Sequence, residues 1–451
     1  MNKLSGIHFY INIVNFNNII LDEESRTNEV THSIHALDTF FSSIESFGKK
    51  KYPKSFVVEK ITGSRLHLYV TDEIQPAFDT VRTVSSFAFR LTQVINHDIG
   101  KYQYLMDFQI QIGAAFGDFY DFEFKLSEEE SENTTIGYAA NYAAKLQGLA
   151  GPSRIAISLD IFESLQPELK KQFEIIESKA IEKYDQKCFY CLPLLSLKPA
   201  VVIEVSDMEF AKEYANGFNL SDIKISKAYG PINFRDVGRT QCKKVNGIPV
   251  FADVRGFTSQ FLADGSNLEE MAEKTQSILG AMYDITTTHG GIHIQFQGDR
   301  ELSLYHNFSS VTNKSGFQIE KKCFKPAVLS SMRMIDSVKP YSIHIGVGED
   351  YGQLFATRIG ARGEKDNILL GETVIQADTM EDRNAGEDQL AITREVYDGL
   401  KEEDPFLANL FKANNDYYVA TIGYQEYLRN MADRQQRCNT ARSNYNPAWR
   451  D

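Results

Sequence analysis

An internal repeat constrains the fold most strongly, because four short segments of the first half recur in the second half in the same order. The paired positions are Asn12 with Asp253, Gly63 with Gly298, Gly113 with Gly346, and Gly137 with Gly371. The offsets between the pairs are 241, 235, 233 and 234 residues. Offsets this similar are typical of a duplication. We therefore predict two copies of one domain, fused in tandem.

Two acidic residues of the second copy lie where strand-like segments end in glycine. Asp253 lies in an apolar run that stops at Gly256, and Asp299 follows Gly298 after the β-rich run Ile292–Phe296. A single Gly-Asp step is usually a surface turn, so the interpretation depends on both acids together. Carboxylate oxygens beside flexible backbone suit hard divalent cations. The pair therefore predicts a two-metal site for phosphoryl chemistry.

Four motifs of the second copy resemble those of the class III nucleotidyl cyclases, the adenylyl and guanylyl cyclase superfamily. They are Phe251–Thr258, which resembles F-A-D-I-x-G-F-T, the Gly298-Asp299 hairpin, Ile343–Gly348, which resembles I-G-I-H-x-G, and Gly371–Val374, which resembles I-G-D-x-V-N. Their order and spacing agree with the family, and the resemblance covers roughly residues 5–195 and 245–425.

The resemblance implies an α+β fold. We expect two tandem ferredoxin-like (βαββαβ) class III cyclase domains that form an intramolecular head-to-tail pseudodimer, each with helices over one face of a mainly antiparallel sheet. The predicted segments are a degenerate cyclase domain at 1–198, a structured linker at 199–244, a metal-binding cyclase domain at 245–426 and a tail at 427–451. The arginine-containing tail favours a solvated segment over a docking arm.

The two copies have lost complementary residues. In the family that the chain resembles, each active site takes metal ligands from one domain and base-reading and transition-state residues from the other. The first copy has Asn12 and Ser64 at the metal positions but keeps Lys60, Thr134, Asn141 and Lys145 at the other four. The second copy keeps Asp253 and Asp299 but has Gln295, Ile368, Ile375 and Thr379 at those four positions. One complete site is therefore expected, although decay of both copies to a pseudoenzyme is the alternative.

The resemblance also implies roles. Asp253, Asp299 and the backbone carbonyl of Val254 would bind two Mg²⁺ or Mn²⁺ ions, and Asn141 would orient the ribose. Lys145 stands where the family usually has arginine, and it would meet charge that develops on the α-phosphate. Arg362 and Lys183 are candidates to share that phosphate-binding task.

The substrate is predicted from the base-reading pair. Lys60 donates to a ring nitrogen and Thr134 accepts from an exocyclic amine, a pattern that fits ATP and CTP better than GTP and UTP. Two bare cyclase domains resemble the Pycsar antiphage cyclases, which make cyclic CMP or cyclic UMP for a separate effector. We therefore expect a pyrimidine cyclase that prefers CTP to UTP, with ATP close behind. The alternatives are an adenylyl cyclase and a nucleotide-binding sensor without catalysis.

Composition is compatible with these expectations. The net charge of −13 argues against general binding to nucleic acid or to anionic membranes. No apolar run approaches the roughly 18 residues of a membrane span, and no signal peptide is evident at the start, so a cytoplasmic location is expected. Because both halves of the site lie in one chain, we expect a monomer or a homodimer.

Overall fold

The computed structural model describes residues 2–71, 77–102, 105–126, 131–220, 223–228, 230–238, 241–256, 268–312, 318–360, 366–421 and 423–443. Two large mixed sheets occur among these residues, one in each half of the chain.

The first half forms a sheet of eight strands. Its strands are β1 (Asn2–Ile13), β2 (Phe56–Thr62), β3 (Arg65–Thr71), β4 (Ile110–Lys125), β5 (Ser131–Ile136), β6 (Arg154–Ile157), β7 (Glu174–Glu177) and β8 (Cys188–Pro193). Its α-helices are α1 (Phe16–Thr27), α2 (Thr31–Lys51), α3 (Ala77–Gln93), α4 (Tyr138–Ala150), α5 (Leu159–Glu163) and α6 (Pro167–Lys170). The strand order is β2-β3-β1-β4-β6-β8-β7, with β5 paired to β4. The first four strands thus have the ferredoxin-like βαββαβ arrangement.

The second half repeats this plan in a sheet of ten strands. After α7 (Val205–Asn216) and β9 (Lys224–Lys227), its strands are β10 (Gln241–Val254), β11 (Ile292–Phe296), β12 (Arg300–His306), β15 (Ile345–Glu349), β16 (Gly352–Ile359), β17 (Asp366–Leu370), β18 (Gln389–Thr393), β19 (Lys412–Asn414) and β20 (Tyr417–Ala420), with β13 (Phe308–Thr312) and β14 (Gln318–Lys321) as a separate hairpin. Its α-helices are α8 (Leu268–Thr288), α9 (Phe324–Val338), α10 (Glu372–Thr379), α11 (Arg394–Glu403), α12 (Pro405–Ala408) and α13 (Tyr424–Ser443). The order β11-β12-β10-β15-β18-β20-β19 matches that of the first sheet strand for strand.

The predicted duplication is thereby confirmed, but one pair of glycines needs correction. Gly113 lies opposite Tyr10 in the first sheet, and Gly348 lies opposite Phe251 in the second. Tyr10 and Phe251 are 241 residues apart, the offset of the first repeated pair. A Cβ on Gly113 or Gly348 would lie 2.1 to 2.2 Å from backbone of the following helical segment. The equivalent of Gly113 is therefore Gly348, and the sequence match to Gly346 was wrong by two residues.

Helices cover both faces of the first sheet. Phe9 and Ile11 of β1 join the core formed with α2 and α3. Because successive strand residues point to opposite faces, Tyr10 faces the other way and packs with Ala115 and with Tyr142 of α4. The expectation that helices lie on only one face is therefore wrong for α4. This helix matters for function because it carries two of the predicted site residues.

The connection between the halves docks on the first half. Tyr214 of α7 donates to Asp38 Oδ2 at 3.0 Å, and its hydroxyl lies 2.8 Å from that of Ser42, both on α2. The boundary predicted at 244/245 falls inside β10, and the one at 426/427 falls inside α13. The domain limits therefore remain sequence predictions.

The start of the tail is helical and packed, which differs from the expected solvated segment. Tyr427 is 4% exposed, and its hydroxyl lies 3.4 Å from Asp404 Oδ2. Arg434, two turns later on α13, lies over the Phe406 ring at 5.0 Å. Aromatic contacts at the start of α13 thus anchor a segment whose sequence is otherwise polar. Among the described helices, none combines the length and apolar character needed to cross a membrane.

Two carboxylates tie the halves together in a reciprocal way. Glu132 of β5 accepts a hydrogen bond from the Phe296 amide of β11 at 2.9 Å. Asp366 of β17 accepts one from the Ile61 amide of β2 at 2.7 Å. Glu132 and Asp366 are 234 residues apart, and Ile61 and Phe296 are 235 apart, so the two contacts are equivalent. The halves therefore pair head to tail around a pseudo-two-fold axis, as the fold prediction required.

Candidate active site between the two halves

The two metal-ligand candidates lie close together, one on β10 and one in the turn that joins β11 to β12. Asp253 is near the end of β10, opposite Arg300 at the start of β12. Gly298 has φ of 72°, a left-handed conformation that suits glycine and allows the tight turn before Asp299. Burial, and then the charge of Asp299, raise the pKa of Asp253 to about 7. The two carboxyl groups are therefore neighbours whose mutual repulsion a shared cation would relieve.

Arg255, which the sequence analysis did not identify, holds Asp253 in place. Its guanidinium lies 3.4 Å from Asp253 Oδ2 and 2.6 Å from Glu381 Oε1. It also donates to the backbone carbonyls of Glu381 and Ala385, at 2.7 and 2.9 Å. Gly346 leaves room for this side chain, because a Cβ there would lie 1.9 Å from Nη2. Arg255 is thus committed to orienting the carboxylate.

Arg300 is a second cation at the hairpin, and two acids neutralise it. Its guanidinium lies 2.5 Å from Asp378 and 2.6 Å from Glu381. It also lies over the ring of Phe251, 4.2 Å from the centroid. With these partners, Arg300 supports the hairpin and adds little free positive charge to the cavity beside it.

The first half contributes the opposite wall. Asn141 and Lys145 lie one turn apart on α4, and the Asn141 carbonyl accepts a hydrogen bond from Tyr184 at 3.1 Å. Together with Lys60 and Asp299 they line a cavity of about 280 Å³, which we call the primary cleft. Among the described residues Lys145 has no ion-pair partner. The cleft thus combines the Asp299 carboxylate of one half with the Lys145 ammonium of the other, whereas Asp253 is not among the side chains that line it.

Lys60 and Thr134 lie deeper, in a buried cluster. Lys60 is 3% exposed, and its ammonium contacts the carboxylate of Glu132 and the carbonyl of Phe296. Thr134 lies on β5 two residues after Glu132, and its fully buried hydroxyl has no hydrogen-bond partner within the described part of the chain. Sequence reasoning missed Glu132, since its importance depends on partners in distant strands.

Tyr10 and Arg65 also line the primary cleft, and the sequence analysis identified neither. Burial and the charge of Glu59 raise the pKa of Tyr10, Arg65 acts in the opposite direction, and Asp299 raises it again. The Tyr10 hydroxyl therefore lies near charged groups of both halves. Arg65 follows Ser64 as Arg300 follows Asp299, so the repeat itself was the available signal. Arg65 is exposed and has no ion-pair partner among the described residues.

A buried hydrogen-bond chain supports this wall of the cleft. His8 Nδ1 lies 2.9 Å from His67 Nε2, and His67 Nδ1 lies 2.9 Å from Glu59 Oε2. Glu59 also accepts from the amide and hydroxyl of Thr135, at 2.9 and 2.5 Å. The Tyr10 ring stacks on His67 with centroids 4.1 Å apart. Although His8, His67 and Glu59 bring ligand atoms within 4.8 Å, these hydrogen bonds account for their closeness. The chain joins β2 to β5, the strands that carry Lys60 and Thr134.

Three further predicted residues stand apart. Val254 follows Asp253 and pairs with Ile345 in the strand ladder, with a buried side chain. Lys183 lies in the short 3₁₀-helix Lys179–Tyr184, but its side chain is outside the described ones. Arg362 lies outside the described residues altogether. Their suggested roles therefore remain predictions.

A related cavity lies on the other side of the pseudo-two-fold axis. It measures about 200 Å³, and its lining includes Asn12, Ser64, Gln295 and Ile375, so we call it the twin cleft. Ser64 donates to Asn12 Oδ1 at 2.9 Å, at the positions equivalent to Asp299 and Asp253. Ile375 stands where the primary cleft has Asn141. At these positions the twin cleft therefore has neither the predicted metal-binding carboxylates nor the predicted ribose-orienting amide.

The comparison with solved structures decides the fold family. A class III adenylyl cyclase-like ATP-binding protein from Pseudomonas aeruginosa superposes on 95% of this chain and 90% of that chain, with a TM-score of 0.68 and 15% identity. The chain has the class III cyclase fold. Because that structure covers both halves at once, the fold assignment includes the tandem pseudodimer, and the resemblance seen in the motifs is confirmed at this level.

The sequence comparison adds one relative whose name states a cyclase activity. A uridylate cyclase from Pseudomonas aeruginosa is 22% identical over an alignment of 325 positions, and the match covers 66% of this chain and 58% of that protein. The match thus spans less than two thirds of the relative's length. No protein-family model matches the chain.

Proposed function

We propose that this chain is a nucleotidyl cyclase, which converts a nucleoside triphosphate to a 3′,5′-cyclic nucleotide and pyrophosphate. The observation that carries the proposal is the composition of the primary cleft on a class III cyclase fold: Asp299 of one half faces a cavity shared with Asn141 and Lys145 of the other. The uridylate cyclase named among the relatives supports the same class of reaction.

The proposed cofactor is Mg²⁺ or Mn²⁺, with two ions expected from the family resemblance. Asp253 and Asp299 fit such ions, since they offer hard oxygen ligands and the charge of Asp299 helps to raise the pKa of Asp253. Bound ions would neutralise triphosphate charge and make the ribose 3′-hydroxyl more acidic. Arg255 would keep the Asp253 carboxylate in its binding orientation.

The first half would bind and position the nucleotide. Asn141 would hold the ribose so that its 3′-oxygen faces the α-phosphorus in line with the bond to the leaving pyrophosphate. That phosphorus–oxygen bond breaks as the new one forms, and the 3′-hydroxyl proton leaves to water. Lys145 and Arg65, the cleft cations without ion-pair partners among the described residues, would stabilise charge on the phosphates.

For the base, we propose a pyrimidine, in a signalling role that acts through a separate effector, as in antiphage defence. The hydrogen-bonding pattern of Lys60 and Thr134 favours CTP, whereas the name of the curated relative favours UTP. ATP has the same donor and acceptor pattern as CTP and remains the alternative substrate.

The test is incubation of the purified chain with Mn²⁺ and each of ATP, CTP, GTP and UTP, with mass spectrometry of the products. Cyclic CMP or cyclic UMP would support the pyrimidine proposal, and cyclic AMP would replace it with an adenylyl cyclase. An Asp299→Asn variant is the control, and it should give no product. Absence of any cyclic product from the parent chain under these conditions would contradict the cyclase proposal.

A nucleotide-binding sensor is the second candidate, and Lys145 favours it. Lysine offers a point charge without the bidentate geometry of the arginine usual at this position, so binding could occur without turnover. Calorimetry with CTP, UTP and ATP distinguishes the two candidates: a sensor binds a triphosphate but leaves it intact in the product assay.

A further inference from the structure

The cluster around Lys60 contains more than the predicted base-reading pair. The Glu132 carboxylate contacts the Lys60 ammonium, accepts from the Phe296 amide at 2.9 Å, and lies 3.0 Å from His293 Nε2. His293 in turn contacts Glu301 at 2.9 Å. Glu132 therefore links the base-reading lysine of the first half to two residues of the second half.

The charges in this cluster depend on one another. The Lys60 side chain is 4% exposed, and burial of a charged group is costly unless it is paired, as Lys60 is with Glu132. Burial would raise the pKa of Glu132, but Lys60 and His293 outweigh it and lower that pKa. Burial alone would lower the pKa of His293, but Glu301 and Glu132 raise it to about 10. Glu132 is thus an ionised group held between two cations.

The geometry leaves Lys60 little freedom. An ammonium has three N–H donors, and two of them are directed at Glu132 and at the Phe296 carbonyl. One donor remains for a ligand in the primary cleft, which Lys60 lines. Thr134 is on the same face of β5 as Glu132, because strand residues two apart share a face. Its fully buried hydroxyl has no partner among the described residues, although Thr134 is not one of the side chains that line the primary cleft, so a base must reach past that lining to contact it.

We infer that Glu132 is a positioning residue that sets base selectivity. By tethering Lys60 to the wall between the halves, Glu132 fixes where the remaining N–H points, so that a single-ring base reaches both Lys60 and Thr134. A purine would require the ammonium to move, and this would break its contact with the Glu132 carboxylate. The inference rests on the proposed cyclase function, and it assigns the preference for pyrimidine triphosphates to a residue that does not touch the substrate.

The chain offers a matched control. Asp366 accepts a backbone amide across the same interface, as Glu132 does, but no direct contact between it and Lys60 is among the described hydrogen bonds and ion pairs. Asp366→Asn should therefore weaken the equivalent amide contact across the interface and remove a charge that Lys60 feels, while the direct contact between Lys60 and Glu132 stays in place. If base preference changes in Glu132→Gln but not in Asp366→Asn, the change results from the position of Lys60 and not from a general loosening of the interface.

The experiment measures kcat and KM for CTP, UTP and ATP, together with their dissociation constants in Ca²⁺, for the parent chain, Glu132→Gln and Asp366→Asn. We expect Glu132→Gln to lower the preference for the better pyrimidine over ATP by about tenfold, mainly through KM. Asp366→Asn should change that ratio by less than about twofold. If Glu132→Gln does not fold, His293→Gln, which removes the contact to Glu132 together with the one to Glu301, should shift the ratio in the same direction by a smaller factor.

The outcomes are distinguishable. An unchanged ratio in Glu132→Gln, with normal cyclisation by the parent chain, overturns the inference and leaves the proposed function standing. Binding selectivity that shifts as expected, without product from the parent chain, contradicts the proposed function and supports the inference. A parent chain that binds none of the three nucleotides overturns both.

Discussion

The primary cleft and the twin cleft are made from equivalent strands and helices, but their polar residues differ in kind. Asp299 lines the primary cleft and Asp253 lies close to it, so that the charge of Asp299 helps to raise the pKa of Asp253 to about 7. At the equivalent place the twin cleft has Asn12 and Ser64, joined by a neutral hydrogen bond of 2.9 Å. The first arrangement holds two mutually repelling acids together, with Arg255 3.4 Å from Asp253, whereas the second carries no charge.

The difference teaches how a duplicated fold can divide its tasks. Two neighbouring carboxylates destabilise a protein when no cation is bound, because like charges are held together. A pair joined by a neutral hydrogen bond carries no such cost. If the primary cleft alone carries out the proposed phosphoryl chemistry, replacement of the acids in the twin cleft removes a second source of repulsion without loss at the primary cleft.

The largest effect should come from removing a proposed metal ligand from the primary cleft and leaving the twin cleft unchanged. Asp299→Asn should lower the rate of cyclic nucleotide formation on the order of a thousandfold, because one oxygen ligand and its charge are lost. Ser64→Ala, the equivalent change in the twin cleft, should leave the rate within about twofold. Mass spectrometry of the products checks both, and equal losses in the two variants would mean that the clefts have been assigned the wrong roles.

A smaller loss is expected on the opposite wall. Lys145→Ala should reduce kcat by about a hundredfold, because a charge that stabilises the phosphates is removed. Lys145→Arg should keep or raise kcat, since arginine binds a phosphate through two donors. Thr379, the residue of the second copy at the equivalent position, provides the control, and Thr379→Ala should have little effect. Steady-state kinetics at saturating Mn²⁺ provides the measurement.

The difference between the clefts can also be tested by introducing two carboxylates into the twin cleft. In an Asp299→Asn background, Asn12→Asp combined with Ser64→Asp should lower the free energy of unfolding by about 1 to 2 kcal/mol in a chelator, through repulsion of the new carboxylates. Mn²⁺ should restore the loss. Thermal unfolding with chelator and with Mn²⁺ measures this, beside an Asn12→Ser, Ser64→Ala control. If Mn²⁺ did not reverse the destabilisation, this would argue against the idea that the backbone of both clefts places two carboxylates suitably for metal binding.

A last effect, on stability and not on catalysis, concerns a buried carboxyl that the first half lacks at the equivalent position. Glu349, fully buried, is equivalent to Ala114 by strand register, and burial raises its pKa from 4.5 to about 8. Between these values the folded chain holds a proton that the unfolded chain has lost. Stability should therefore fall as pH rises, by up to about 1.4 kcal/mol per pH unit from this group. Glu349→Gln should flatten that slope in urea unfolding at several pH values, and an unaltered slope would contradict the assignment.

The sequence predicted the parts of the molecule that depend on short motifs. The duplication, the closeness of Asp253 to Asp299, and the location of Asn141 and Lys145 in one cavity all follow from local patterns at nearly constant spacing. The pairing of Gly113 was misjudged because its true equivalent is fixed by contact with a helix. A motif match cannot detect such a contact.

The parts that sequence reasoning missed depend on contacts over long distances in the chain. Glu132 is a polar residue in an ordinary strand until Lys60, His293 and Phe296 surround it, and two of these lie more than 160 residues away. The start of α13 was misjudged for a similar reason. The polar composition of the tail indicated a solvated segment, but the side chain of its first residue, Tyr427, is buried.

The docked connection between the halves has a consequence for how the primary cleft comes together. The hydroxyl of Tyr214 on α7 lies within hydrogen-bonding distance of Asp38 and Ser42, so the chain leaves the first half along a fixed path. The two walls of the cleft therefore meet within one molecule, at an effective concentration that is set by the covalent connection and does not depend on the concentration of the protein. Such a cleft should not come apart on dilution. Regulation of its proposed activity must therefore act on the assembled molecule.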